Sequence, residues 1–307
     1  MELQQLRYFV EVVQSGSFTK AAERCHVTQP TLSHQIKKLE EALGEPLLQR
    51  RRQGVRPTPM GESFHARAVA ILREVQAAKE EAAAFTGELR GSLRIGIIPT
   101  IAPYLMPRLL KASLKRFPRL KFQVSEETTD HLLNAMRIGS VDAAILSLPL
   151  PGEDWKIDVL MEDELLLALP ERHRLAVGRG AIDLSQLGEE PLILMKEAHC
   201  LTGQTLEVCS RVGFAPEVFL YSSQIETLMA LVDGGMGLSF IPAMARHVAG
   251  KRRIRFKSLK PRAYRSIALV WPRQATPTRA FAYFREVCGR NVPRMRGVGR
   301  MGPDRSR

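Results

Sequence analysis

The sequence predicts an α+β protein in three parts: a small helical head with a basic hairpin, one long helix, and a two-lobed α/β unit. Three observations carry this reading. Apolar residues recur at helical spacing three times within the first 43 residues, with turn residues between the repeats. An unbroken 4,3 apolar repeat then runs from Phe64 to Phe85. Beyond residue 91, short apolar runs alternate with helical patterns as far as residue 288.

Composition bounds the function. A chain of 307 residues has room for two domains or three, and 45% hydrophobic with 25% charged residues is the balance of a soluble globular protein. The first residues, Met1-Glu2-Leu3-Gln4-Gln5, lack the basic and apolar regions of a signal peptide. No apolar run approaches the ~20 residues that span a bilayer. The expected location is therefore a reducing cytoplasm, with no membrane partner. Four cysteines are too few for a disulfide scaffold, and in that compartment a disulfide is more often a signal than a staple. The net charge of +13 calls for a polyanion, nucleic acid above all. Part of that charge is less informative. Lys251, Arg252, Arg253, Arg255, Lys257, Lys260, Arg262 and Arg265 form one basic run, and residues 289–307 read as a basic, disordered tail. Such runs are usually solvated segments. There is no Gly-x-Ser-x-Gly elbow, phosphate loop or metal-ligand cluster, so no enzyme, cofactor or metal is expected.

The head spans residues 1–59. Leu3, Leu6, Phe9, Val10 and Val13 share a helix face that Ser15-Gly16 ends. Ser17 caps a short second helix, whose Ala21-Ala22 pair lets a neighbour approach closely. Residues 25–28 turn the chain. A third helix opens at Gln29-Pro30-Thr31, where proline in the first turn costs little, and Leu32, Ile36, Leu39 and Leu43 line its apolar face. Two short helices joined by a tight turn make a helix-turn-helix. The leading end of the second carries Gln29, Thr31, Ser33 and His34, which can read base edges. Lys37 and Lys38 can neutralise phosphates. An ordinary amphipathic helix with a wet face would look similar. The hairpin that follows, with Arg50, Arg51, Arg52 and Arg56 around Gly54, adds a wing against the phosphate backbone and favours DNA.

Residues 60–86 form the long helix. Phe64, Ala68, Ile71, Val75, Ala78, Ala82 and Phe85 make a heptad seam suited to a second copy, so two heads would meet paired half-sites; packing on its own domain is the other reading. The stretch from Ala21 to Ser33, with Ile36, Leu39, Glu40, Leu43 and Gly44, resembles the N-terminal motif of LysR-type transcriptional regulators. The resemblance implies that Gln29, Pro30, Thr31, Ser33 and His34 meet the DNA groove and that Arg50, Arg51 and Arg52 contact the backbone.

A hinge is expected at 87–91 and the two-lobed unit at 92–288. Predicted strands cover residues 93–98, 122–124, 141–146, 165–169, 192–195, 218–221, 238–241 and 267–271, with helices at 104–117 and 129–138. This alternation reads as a largely parallel sheet with a ligand crevice beyond its strand ends. Thr100 and Thr129 stand at such ends. Each could offer a hydroxyl to a small polar ligand or could cap a helix. The region resembles the periplasmic-binding-protein-like effector domain of the same regulators.

Cys200 follows His199, and Cys209 lies nine positions on. A helix over 205–212 would place Leu206, Cys209 and Val212 on one face, with Cys209 in a core and Cys200 just before the helix, where end N–H groups favour a thiolate. If the intervening chain is mostly helical, the two lie up to ~13.5 Å apart, whereas a disulfide needs Cα atoms within roughly 7 Å. Core thiols, a His/Cys/Cys metal site and a redox pair all remain open on these residues alone. The segments Ile97-Ile98-Pro99-Thr100, Pro103-Tyr104-Leu105-Met106-Pro107 and His199-Cys200-Leu201, together with Cys209, resemble the hydrogen peroxide-sensing branch of the LysR-type regulators over most of the chain. That resemblance implies a transcription regulator of oxidative-stress genes, with Cys200 oxidised to a sulfenic acid and Cys209 closing a disulfide. It also implies a homotetramer, a peroxide pocket of Thr100, Thr129 and His199, and contacts with RNA polymerase and a thiol reductant. Well-known members carry an Arg-Asp pair after His-Cys-Leu, where Thr202-Gly203 stand here. That removes two charges beside the sensor, and Gly203 eases unwinding. Cys25 and Cys288 read as structural. The rival expectation is a LysR-type regulator that binds a small organic acid, with incidental cysteines.

Overall fold

The computed structural model describes residues 1–51, 54–84, 91–178, 180–188, 190–196 and 200–292. The head packs α1 (Leu3–Ser15), α2 (Phe18–Cys25) and α3 (Gln29–Leu43) around Leu6, Phe9, Val12, Ala21, Ala22, Leu32, Ile36 and Leu39, all buried. Each boundary has a local cause. Gly16 and Gly44 end α1 and α3 in the left-handed conformation. Ser17 and Thr28 cap α2 and α3 through their hydroxyls. His26 closes α2 at φ 57°. The wing is a hairpin of β1 (Leu48–Arg51) and β2 (Gly54–Pro57). Glu40 Oε1 accepts the Leu47 and Leu48 N–H groups at 2.8 and 3.1 Å and so ties the wing to α3. Val55 N donates to Gly16 O at 3.0 Å. Gly54 makes this approach possible: at φ +111° a Cβ there would sit 2.8 Å from Gly16 O.

The long helix α4 (Pro59–Ala84) does not offer its whole seam to a partner. Ala68 is buried in the head's own core, with Phe64, Val69 and Leu72 against it. His65, off the predicted seam, is buried beside Phe9 with ring centroids 6.1 Å apart. Only past this first half does the seam turn outward: Ile71 and Ala78 are exposed and Val75 is half-buried. Phe85 and residues 87–90 of the expected hinge lie outside the described residues, as does the tail from residue 293.

Lobe I is built from β3 (Gly91–Ile97), α5 (Ala102–Arg116), β4 (Leu120–Glu126), α6 (Thr129–Arg137) and β5 (Ala143–Ser147). The chain crosses to lobe II along β6 (Trp155–Pro170). It continues there through β7 (Ile182–Asp183), β8 (Leu192–Met195), α7 (Cys200–Arg211), β9 (Val218–Ser222), α8 (Ile225–Asp233) and β10 (Ser239–Pro242), returns along β11 (Ile254–Pro272) and ends in α9 (Arg279–Asn291). The main sheet runs β10-β6-β11-β5-β3-β4. β3 with β4, β3 with β5, β7 with β11, and the separate β8 with β9 are parallel pairs; β10/β6, β6/β11 and β11/β5 are antiparallel. The largely parallel sheet expected from alternation is thus a mixed one. The apolar runs at 165–169 and 267–271 marked only the buried ends of the long strands β6 and β11, whose polar middles carry the chain between lobes. Each lobe keeps its own core. One gathers Ile95, Leu105, Leu132, Ile145, Leu269 and Phe284; the other gathers Leu167, Ile193, Leu201, Cys209, Leu228 and Phe240. Cys288 is buried in the lobe I core beside Phe281 and Phe284, and Cys25 packs at the edge of the head core.

Candidate functional site

Helix α7 begins at Cys200, five residues earlier than the apolar pattern predicted. Its first turn is pinned to β8, because Thr202 Oγ1 donates to Met195 O at 2.6 Å. The helix then separates its residues by face. Leu201, Thr205 and Cys209 point into lobe II and are buried. Cys200 and Gln204, one turn apart, face lobe I. Cys200 packs against the lobe I core, and Gln204 Nε2 donates to Ser147 Oγ and Leu148 O, both at 2.8 Å. Cys200 therefore lies at the margin of the lobe I core and Cys209 inside that of lobe II. Nine residues of continuous helix hold them about 13.5 Å apart along the axis. All four cysteines are free thiols.

A buried ion pair lies next to Cys200. The Arg265 side chain has no exposed surface and Asp163 has 1%. Arg265 Nε donates to Asp163 Oδ2 at 3.0 Å, Nη1 to Thr100 Oγ1 at 2.8 Å and Nη2 to Thr100 O at 2.9 Å. Asp163 Oδ1 also accepts Met244 N–H at 3.0 Å. Removing two charges from water costs several kcal/mol per ion, which such a set of bonds offsets. Burial pushes the Asp163 carboxyl up and prevails over the opposing pull of Arg265. Burial likewise raises the Cys200 thiol above its ordinary value. Arg265, the Thr129 hydroxyl and the N–H groups of Cys200 and Leu201 oppose that rise. The helix-end effect expected at Cys200 is thus present in direction but outweighed by burial. Cys209 is pushed up to about 11 by burial alone.

Thr100 and Thr129 occupy different roles here. Thr129 is the first residue of α6, not its cap, and its Oγ1 is buried without a hydrogen-bond partner. It adjoins the Cys200 sulfur, without a hydrogen bond of regular geometry between them. Thr100 accepts from Arg265, which leaves its own O–H for a further acceptor. Neither hydroxyl caps a helix. His199 lies outside the described residues. The arrangement brings together one thiol, a buried guanidinium and an unanswered hydroxyl. It can stabilise negative charge that develops beside the sulfur.

The inter-lobe crevice nearby is a cavity of about 240 Å³ that includes Pro99, Tyr104, Glu126, Met195, Gln224 and Glu226 in its walls. Its charge comes from the two glutamates. Burial, then Glu226, pushes Tyr104 up to about 12. Arg265, Asp163 and Gln204 were missed in the sequence. The signal for two of them was the period of two: Ala263, Arg265 and Ile267 alternate inward on β11, and so do Asp163, Leu165 and Leu167 on β6. In the sequence alone, Arg265 reads as part of a run of solvated charge. Among the described residues no cluster of His, Cys, Asp or Glu could hold a metal ion, and no helix is long and apolar enough to cross a membrane.

At the other end of the chain, Pro30, Thr31, His34, Lys37 and Lys38 of α3 are exposed, while Gln29 and Ser33 are half-buried. The Thr31 hydroxyl is bonded to that of Thr28 at 2.8 Å, and Lys37 pairs with Glu41 at 3.7 Å. Arg50 and Arg51 lie on β1, and Arg52 falls outside the described residues.

A winged helix-turn-helix, a long connecting helix and a two-lobed ligand-type domain with a site at the lobe junction define a DNA-binding transcriptional regulator. The family models agree: the bacterial regulatory helix-turn-helix protein of the lysR family matches residues 3–62, and the LysR substrate binding domain matches residues 86–293. The chain belongs to the LysR family of regulators, which are not enzymes. Its similarity reaches further. It is 34% identical over 282 residues to the DNA-binding transcriptional dual regulator OxyR of Escherichia coli K12, covering 91% of this chain and 92% of that one. It is 38% identical over 252 residues to a probable hydrogen peroxide-inducible genes activator of Streptomyces viridosporus, covering 81% and 80%. Full-length OxyR of Pseudomonas aeruginosa, solved as a cysteine-to-aspartate variant, superposes with a TM-score of 0.78 at 33% identity over 95% of this chain and 94% of that one. A peroxide-bound cysteine-to-serine variant of Corynebacterium glutamicum OxyR gives 0.63 at 30% identity over 94% of each.

Proposed function

We propose that the chain is a hydrogen peroxide-sensing regulator of oxidative-stress genes, switched by a reversible Cys200–Cys209 disulfide. The observation that carries this is the Cys200 environment: a thiol at the lobe junction, beside a buried guanidinium and the free Thr129 hydroxyl, with a second thiol on the same helix. The printed names of its relatives, peroxide-inducible gene activators and OxyR proteins, point the same way. The Cys200 thiolate attacks one peroxide oxygen. An S–O bond forms as the O–O bond breaks, and the second oxygen leaves as hydroxide and takes a proton to become water. Arg265, through Thr100, and Thr129 stabilise that departing charge, with His199 as a further donor. The Cys209 thiolate then attacks the sulfenic sulfur, and the S–S bond forms as a second water leaves.

Joining the two sulfurs requires α7 to unwind. That breaks the Gln204 bonds to lobe I and the Thr202 bond to β8, so the lobes and everything attached to them must rearrange. Gln29, Pro30, Thr31, Ser33 and His34 read the groove of double-stranded DNA, while Lys37, Lys38, Arg50, Arg51 and Arg52 hold its backbone. Ile71 and Ala78, outward on α4, join copies into a homodimer and thence a homotetramer on paired half-sites. RNA polymerase and a thiol reductant complete the cycle in the cytoplasm. The rival reading, an organic-acid effector in the inter-lobe crevice, is disfavoured by its two glutamates, because the nearby cation Arg265 is committed to Asp163 and Thr100.

The deciding experiment is thiol accounting by mass spectrometry on reduced protein before and after a small excess of peroxide. A Cys200–Cys209 disulfide within minutes, with a changed DNA footprint, supports the proposal. Free thiols at both positions, or a Cys200→Ser variant that still responds to an inducer, refutes it.

A further inference from the structure

Part of the basic run at the start of β11 lines a groove on lobe II. The groove, of about 1180 Å³, lies between the chain that follows β6, the segment 243–249 that follows β10, and the first residues of β11. Arg246, Arg252, Arg255 and Lys257 stand in its walls with His247, against a single carboxylate, Glu171. Arg255 pairs with Glu171 at 2.5 Å, and among the described residues no acid answers Arg246, Arg252 or Lys257. Arg246 lies over the Phe256 ring, 5.9 Å from its centroid, and Arg252 Nη1 donates to Val248 O at 3.2 Å. Lys257 is 8% exposed, and its ammonium donates to Gly178 O. A cation so far withdrawn from water is costly unless an anion meets it. Like charges gathered along one groove also repel, and the field they make attracts a negative partner. The groove is apolar between these charges. Met244, Ile254 and Phe256 are half-buried in its walls, and Val177 on its rim is 84% exposed.

We propose that this groove docks an acidic segment of a partner protein, one in which apolar side chains are interspersed among the carboxylates. The carboxylates meet Arg246, Arg252 and Lys257, whose side-chain nitrogens are donors only. The apolar side chains cover Val177, Ile254 and Phe256. A phosphate chain or a DNA duplex would match the charge but leave that apolar surface bare. At about 1180 Å³ the groove also exceeds the roughly 300–1,000 Å³ usual for a small-molecule site. Docking here uses neither cysteine and holds whether or not Cys200 senses peroxide.

The test is fluorescence anisotropy of a labelled peptide that repeats Glu-Leu-Glu-Phe, titrated with the full-length reduced protein. The expected result is saturable binding, one peptide per chain, that weakens as salt is added. It should be about tenfold weaker or more in the double variant Arg246→Glu/Arg252→Glu, and weaker in Val177→Ser. Lys37→Glu/Lys38→Glu, which makes the same charge change on the DNA-reading head, should bind the peptide as the parent does. A peptide repeating Glu-Ser should bind more weakly than the one with leucine and phenylalanine. Thermal unfolding confirms that the variants fold; if the double arginine variant does not, Val177→Ser decides, because that side chain is exposed and its loss leaves the core intact. The proposal is overturned if the peptide does not bind saturably, if the two double variants weaken it equally, or if the Glu-Ser peptide binds as tightly. It also fails if tripolyphosphate or a duplex of unrelated sequence displaces the labelled peptide at lower concentration than the unlabelled peptide does. A lower oligomeric state of Arg246→Glu/Arg252→Glu in sedimentation would likewise refute it, by making the groove an interface between copies of this chain.

Discussion

Replacing Gly203 with alanine tests whether α7 must unwind for the switch to close. Gly203 sits in the first turn and a half of the helix, is exposed, and has nothing within 4 Å of where a Cβ would stand. Alanine is therefore accommodated without strain, and it favours the helix by about 1 kcal/mol over glycine. That gain belongs to the reduced form alone if the disulfide requires the helix to open. The thiol–disulfide equilibrium should then move about fivefold toward thiols at ~1 kcal/mol, a reduction potential about 20 mV more positive. The assay equilibrates parent and variant in graded dithiol–disulfide buffers and quantifies the Cys200–Cys209 bond by mass spectrometry. The first step, sulfenic acid formation, should be little changed, because Cys200 keeps its surroundings; disulfide closure should be slower. An unchanged or more negative potential would show that helix opening is no part of oxidation.

Arg265→Met leaves Asp163 buried and uncompensated, and should cost roughly 3–5 kcal/mol of stability as well as slowing peroxide attack on Cys200; denaturant midpoints and stopped-flow kinetics test both. Should its stability match the parent's, the ion pair is not the structural element described above. His65 supplies a pH dependence: burial holds its pKa down at about 4, against an ordinary 6.5. Between those values the unfolded chain binds the proton and the folded chain does not. Stability is therefore full above pH 6.5 and declines as pH falls toward 4, by up to about 3 kcal/mol. His65→Leu should flatten that slope in urea titrations at pH 7.5 and 5, and an unaltered slope would assign it elsewhere. Lys38 is exposed on α3, so Lys38→Ala should weaken binding to all duplex sequences alike and reduce the salt slope of log K by about one. A change confined to one base position would instead make it a base reader.

The local rules of the chain were legible without coordinates. Helical spacing, Gly16 and Ser17 bounded the first helices of the head, because capping and left-handed turns depend on near neighbours alone. The motif through Ser33 pointed to the family for the same reason: it is short and contiguous. What the pattern could not supply was partnership across distance. Asp163 and Arg265 stand 102 positions apart, and Thr100 and Arg265 stand 165 apart. A charged residue reads as solvated until the opposite strand supplies its counter-ion. The early start of α7 at Cys200 depends on Thr202 reaching back to Met195 and Gln204 reaching across to lobe I, contacts that lie outside helical periodicity. The linker seam was divided between the head's own core and an outward face, because the same apolar spacing serves either partner and only packing chooses. Sequence by itself determined the helices of the head, the family motif and the two thiols nine positions apart. The tertiary structure alone decided that Cys200 lies in a buried electrostatic setting and that its helix joins the two lobes. Burial and the pairing of distant charges are properties of the assembled chain and not of any stretch of it.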